Sequence, residues 1–159
     1  VLNTDAEGRL ILADALAYAQ ELKPDEIVDL ATLTGAICVA LGNHTVGLFS
    51  NNDAMADAVK KASELAGESM WRMPLDQRLR KQLKSENADM KNVGKRWGGA
   101  ITAALFLQEF VGDFNWVHLD IAGPAYAEKT TDHIFRGGTG VAVATLCEYV
   151  AAAGARLKK

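Results

Sequence analysis

Helical and strand patterns alternate along this chain of 159 residues, and this alternation limits the possible folds more than any other feature. Apolar residues recur at helical spacing between positions 12 and 22, and an apolar run over residues 27–32 predicts a buried strand. Further strands are predicted over residues 45–50 and 116–121. Further helices are predicted between Asp53 and Gly67 and over residues 36–41, 76–83, 100–111 and 141–153. This order predicts an α/β domain, with a mainly parallel sheet flanked by helices.

Three segments are candidates for the functional edge of this sheet. In α/β folds, ligands collect beyond the carboxyl ends of the strands. The segments expected at that edge are residues 3–9, 32–35 and 122–126. Asp120, near the end of its predicted strand, is a further candidate for a site residue. We interpret His118 on the same strand as a hydrogen-bonded structural histidine.

Charge and composition exclude several classes of function. The net charge is -3, which offers no electrostatic attraction for nucleic acid or an anionic membrane. We find no apolar run long enough to cross a bilayer, so no membrane partner is expected. Cys38 and Cys147 each lie in an apolar run, which predicts buried, reduced thiols and therefore a cytoplasmic location.

Two carboxylates, Asp5 and Glu7, lie two positions apart immediately before the first predicted helix. Carboxylate oxygens suit Mg²⁺, Mn²⁺ or Zn²⁺, and the longer Glu7 side chain could reach a second ion. A structural alternative competes with this interpretation. Thr4 and Glu7 have the spacing of a helix capping box, in which Thr4 would cap the helix and Glu7 would fold back on it.

The segment Asn3–Leu10, NTDAEGRL, resembles the signature of the M17 leucyl aminopeptidases at every position. These are dinuclear-metal exopeptidases, and a capping box alone would not require Asn3, Gly8 or Arg9. Residues 32–36 are similar to the substrate loop of that family, and residues 98–107 to its buried helix. Residues 118–123 and 137–146 resemble its last strand and terminal helix. The resemblance therefore covers essentially the whole chain and favours the metal-site interpretation.

The resemblance implies roles for the residues of the signature. Asp5 would bind one divalent metal ion, and Glu7 would bridge two, either Mn²⁺ or Zn²⁺. Arg9 would be the catalytic arginine and would hold a bicarbonate that acts as general base on the attacking water. A guanidinium suits this role because its planar fork donates two parallel hydrogen bonds to a planar anion.

The resemblance also implies how peptide substrates would bind. Thr32, Leu33 and Gly35 would line the peptide channel, partly through main-chain groups. Ala122 and Ala125 would form part of the pocket for the first side chain, and small residues there would leave room for Leu-like groups. The implied reaction is release of N-terminal residues from peptides.

The remaining metal ligands of the family, a lysine and two aspartates, precede the signature and have no counterpart here. We therefore expect residues 1–159 to be the C-terminal portion of a catalytic domain whose first part and N-terminal domain lie upstream. Alone, the fragment should be inactive. The family forms homohexamers, so a homo-oligomer is expected. The alternative is a non-catalytic assembly or interaction fragment of the same enzyme.

Overall fold

A computed structural model describes residues 1–131 and 133–157 of the chain. These described residues form five α-helices: α1 Gly8–Glu21, α2 Gly35–Leu41, α3 Asp53–Ala66, α4 Gly99–Gln108 and α5 Val143–Leu157. Six strands accompany them: β1 Glu26–Ala31, β2 Val46–Ser50, β3 Met70–Arg72, β4 Asn115–Asp120, β5 Tyr126–Ala127 and β6 Gly137–Gly138. Two 3₁₀ segments, Thr4–Ala6 and Gln77–Leu83, complete the described elements. The helix expected over residues 76–83 is thus a 3₁₀ segment.

Four strands form the main sheet in the order β1–β4–β2–β3. Strand β1 pairs with β4 in parallel, and β2 pairs with β3 in parallel, whereas β2 and β4 run antiparallel. The predicted α/β class with mostly parallel strands is confirmed, and the sheet is mixed. Strands β5 and β6 form a separate antiparallel pair beyond the end of β4.

Helices cover both faces of the main sheet because side chains alternate along its strands. On β4, Trp116 packs with residues of α1, α2 and α4 in one core. Val117 and Leu119 point to the other face and pack with α3 and Tyr149 of α5. Helix α4 is buried on most sides, as its nearly continuous apolar sequence predicts.

The pairing of β1 with β4 positions the functional edge. Ala31, the last residue of β1, lies opposite Asp120, the last residue of β4. The backbone amide of Ile121 then donates to the carbonyl of Ala31 over 2.9 Å. The segments that follow these two strands therefore leave the sheet side by side, as expected for residues 32–35 and 122–126.

The two cysteines differ in their exposure. Cys38 is half-buried, but Cys147 is exposed on α5, so the prediction of a buried thiol is wrong for Cys147. Cys147 lies on the exposed face of α5. Its apolar neighbours in the sequence did not indicate which face of the helix it would occupy. Among the described residues, no helix is both long and apolar enough to cross a bilayer.

Candidate active site

The N-terminal segment folds into a 3₁₀ turn followed by α1. The side chain of Asn3 accepts a hydrogen bond from the backbone amide of Asp5 over 2.9 Å and so caps the turn Thr4–Ala6. Glu7 precedes α1, and no side-chain hydrogen bond caps that helix. The capping-box alternative, with Thr4 as the cap, is therefore wrong. Asn3 caps the 3₁₀ turn and not α1.

Asp5 and Glu7 both present exposed side chains on this segment. Their carboxylates are free of the hydrogen bonds that a capping box would impose, and oxygen ligands of this kind suit hard divalent cations. Within residues 1–131 and 133–157, no group of three or more His, Cys, Asp or Glu side chains could hold a metal ion. The pair offers oxygen ligands of the kind that a divalent metal site uses, but too few for a tight site.

Arg9 lies two residues beyond Glu7, on the first turn of α1, and points inward with 9% of its surface exposed. Its Nη1 donates to the carbonyl of Asn92 over 2.9 Å, while its buried Nε has no hydrogen-bond partner. Burial lowers the pKa of the Arg9 guanidinium, and the negative charge of Asp120 opposes this shift. An arginine remains protonated under these conditions. Arg9 is therefore a buried cation near the end of β4, and its Nε–H is still able to donate a hydrogen bond.

Asn92 organises the N-terminal segment and was not predicted from the sequence. Its side-chain oxygen accepts from the amide of Leu2 over 2.9 Å, and its side-chain nitrogen donates to the carbonyl of Asn3 over 2.8 Å. Together with the bond from Arg9, these contacts fix the start of the chain against a segment about ninety positions away. A single asparagine in a polar loop carries no pattern that could have identified it.

Residues 32–35 join the end of β1 to α2. Thr32 is exposed, Leu33 is half-buried, and Gly35 is the exposed first residue of α2. The amide of Leu33 donates to Asp120 Oδ1 over 3.1 Å, so the segment is held at the end of β4. Thr32, Leu33 and Gly35 therefore border the same sheet edge that Arg9 approaches.

The turn containing Ala122 and Ala125 lies beside this segment. Both alanines are half-buried. Between them, Gly123 packs so closely that an added Cβ would lie 2.5 Å from the carbonyl oxygen of Gly42. Thr139, just after β6, donates its amide to the carbonyl of Ala125 over 3.0 Å. The turn is thus held from two sides.

The structure brings Arg9, residues 32–35 and the turn 122–125 together around Asp120, which contacts both loops and acts electrostatically on Arg9. Asp5 and Glu7 immediately precede α1, whose first turn carries Arg9. Two cavities of about 430 and 530 Å³ border this group. Asn92 and Phe110 are among the residues that line the first, and Pro124 and Tyr126 are among those that line the second. None of the predicted site residues lines either cavity.

Comparison with known proteins identifies the sequence family. The sequence model described as the cytosol aminopeptidase family, catalytic domain, matches residues 1–147. A probable cytosol aminopeptidase of Aquifex aeolicus is 56% identical over 150 residues, which are 93% of this chain and 30% of that protein. One from a Picosynechococcus species is 59% identical over 150 residues, 94% of this chain and 30% of that protein. The chain thus spans about a third of these relatives' length.

Solved structures agree with the sequence comparison. A tomato leucine aminopeptidase with a lysine-to-glutamate substitution superposes with a TM-score of 0.91 at 50% identity, covering 96% of this chain and 29% of that one. The bottromycin maturation enzyme BotP superposes with a TM-score of 0.92 at 47% identity, covering 96% of this chain and 34% of that one. The fold described above is therefore that of the corresponding part of these enzymes.

Proposed function

The chain belongs to the cytosol aminopeptidase family, and we propose that it forms part of the active site of a metal-dependent aminopeptidase that releases Leu-like N-terminal residues from peptides. The observation that carries this proposal is the placement of two exposed carboxylates, Asp5 and Glu7, next to the buried cation Arg9. The names of the relatives favour a peptidase over a non-catalytic assembly fragment.

In this proposal Asp5 and Glu7 hold two divalent metal ions, either Mn²⁺ or Zn²⁺, together with ligands from the rest of the protein. Bound divalent ions polarise a scissile carbonyl and lower the pKa of a water molecule. The exposure of both carboxylates supports the assignment, because neither side chain would have to break a hydrogen bond that caps α1. The Glu7 side chain is one methylene longer than that of Asp5, so Glu7 could contact both ions.

Arg9 is proposed to hold a bicarbonate ion and so to position the group that accepts a proton from the attacking water. Its Nη1 is fixed by the carbonyl of Asn92, while its Nε has no partner. A guanidinium that is already oriented loses little entropy when it binds a planar anion. Burial also strengthens the attraction for an anion, because fewer water molecules screen it.

The peptide is proposed to bind along residues 32–35, with its first side chain against Ala122 and Ala125. Thr32 and Gly35 are exposed and can offer main-chain groups to an extended peptide. The small side chains of the two alanines leave room for a branched apolar group. This placement supports a preference for leucine and similar residues.

The same family membership supports a proposal for the assembly and location of the whole protein. We propose that residues 1–159 are the C-terminal portion of the catalytic domain, since the matching family model describes that domain. The remaining ligands and the N-terminal domain would lie upstream. A homohexamer in the cytoplasm is the proposed form of the whole enzyme, in keeping with the relatives' description as cytosol aminopeptidases.

A peptidase assay on the full-length protein tests the proposal. Leucine p-nitroanilide should be hydrolysed in the presence of Mn²⁺ or Zn²⁺, hydrolysis should stop after chelation, and added metal should restore it. The N-acetylated substrate serves as the control and should not be cleaved, because an aminopeptidase needs the free amine. Residues 1–159 alone should be inactive, since they supply too few ligands. Full activity after complete removal of metal would contradict the proposal.

A further inference from the structure

The carboxylate of Asp120 is a buried hydrogen-bond acceptor that none of the proposed roles uses. It lies at the last position of β4 with 1% of its surface exposed. Its Oδ1 faces the amides of Leu33, Thr34 and Ala122, at 3.1, 3.4 and 3.3 Å. Its Oδ2 accepts from the Thr34 hydroxyl over 2.6 Å. One side chain thus binds both loops of the candidate active site.

This arrangement fixes one loop relative to the other. The loops follow two neighbouring parallel strands, and beyond the bond from Ile121 to Ala31 the sheet no longer pairs them. Asp120 replaces that pairing by accepting from backbone amides on both sides. Hydrogen bonds to a charged acceptor are stronger than neutral ones, and leaving these buried amides without a partner would be costly.

Thr34 extends the connection to α2. Its Oγ1 donates to Asp120 and accepts from the amide of Ile37 over 3.1 Å, which caps the helix. The start of α2, including Gly35, therefore depends on the position of the Asp120 carboxylate. Asp120 also provides the negative charge that acts on the buried Arg9. The position of this one carboxylate thus affects three components of the proposed site.

We propose that Asp120 is a positioning residue that sets the spacing between residues 32–35 and the turn 122–125, and thereby the shape of the pocket for the N-terminal side chain. The inference rests on the proposed function. It predicts a specific consequence: when the carboxylate is lost, the two loops separate, and the pocket no longer distinguishes a large apolar side chain from a small one. A residue that only stabilised the fold would not change this selectivity.

Asp29 offers a matched control for a purely structural role. It is a largely buried aspartate on the neighbouring strand β1, two register positions from Asp120. Its Oδ2 accepts from Trp116 Nε1 over 2.6 Å, and its Oδ1 lies 2.6 Å from His118 Nδ1. Both partners belong to β4 rather than to a loop. Asp29→Asn should lower stability without moving the proposed substrate loops.

The experiment compares Asp120→Asn, Asp29→Asn and the wild-type full-length protein with leucine and alanine p-nitroanilides as substrates. Asp120→Asn is expected to lower the ratio of kcat/KM for leucine over alanine by about tenfold, since contacts with a few methylene groups provide discrimination of that order. Both variants should show lower unfolding midpoints. Asp29→Asn should keep the wild-type ratio.

Thr34→Val provides a second variant should Asp120→Asn fail to fold. It removes only the hydroxyl between Asp120 and α2, and the leucine-to-alanine ratio should again fall. An unchanged ratio in the folded variants overturns the role of Asp120 while the proposed function stands. An equal fall in Asp29→Asn would also overturn it, because general destabilisation would then explain the effect. A wild-type protein that hydrolyses neither substrate overturns the proposed function as well.

Discussion

Replacing Glu7 or Asp5 by alanine in the full-length protein is expected to reduce kcat/KM for leucyl amides by on the order of 10²-fold or more. Both side chains are exposed at the start of α1, and Glu7 is free of the helix-capping bond that the alternative interpretation required. Removing either therefore should not unfold the chain. In our account it removes a ligand, so the metal content of the purified variants should fall together with the activity.

Asp14→Ala is the matched control for these variants. Asp14 is an exposed acid on α1, about one turn beyond the end of the signature. Its replacement changes the net charge by the same amount and should leave kcat/KM and metal content at wild-type values. Near wild-type kcat/KM in both Asp5→Ala and Glu7→Ala would exclude these residues as ligands and with them the dinuclear site.

Replacing Arg9 by lysine is the second change with a large expected effect. Lysine keeps the positive charge but cannot donate two parallel hydrogen bonds to a planar anion, and it cannot reproduce the fixed bond from Arg9 to Asn92. We expect kcat to fall by about 10²-fold, the contribution typical of a positioned general base. Metal content should be retained, since Arg9 is not a proposed ligand. This combination separates the role of Arg9 from that of Glu7.

Added bicarbonate provides an independent measurement of the same role. The rate of the wild-type protein, freed of dissolved carbonate, should rise when bicarbonate is added, and the rate of Arg9→Lys should not. Arg78→Lys is the matched control, because Arg78 is an exposed arginine whose contacts are with Asp76 beside it. A folded Arg9→Lys with wild-type kcat would contradict the catalytic role of Arg9.

The sequence predicted the elements whose side chains alternate or recur regularly. Strand β4 was found from the alternation that places Trp116 on one face and Val117 on the other. Strand β3 was missed because it has three residues, of which Trp71 and Arg72 are exposed. The antiparallel pairing of β2 with β4 was also missed. The order of elements along a chain does not specify which strands become neighbours.

The sequence predicted those residues of the candidate site that lie close together along the chain. Asp5, Glu7 and Arg9 belong to one short segment, so their spacing alone makes them candidates. Asn92 was not predicted, because its role depends on hydrogen bonds with residues far away in the sequence. Asp120 was identified as a candidate at a strand end, but its contacts with both loops required the register of β1 against β4. Long-range hydrogen bonds leave no periodicity in the sequence.

We propose that Asp5 and Glu7 bind divalent metal ions next to Arg9. Anomalous scattering from crystals of the full-length protein soaked with Mn²⁺ tests it most directly. We expect two anomalous peaks roughly 3.5–4 Å apart, the usual separation in two-metal sites, with Glu7 contacting both and Asp5 contacting one. Manganese bound elsewhere, with no peak against either carboxylate, would show that these side chains are not metal ligands.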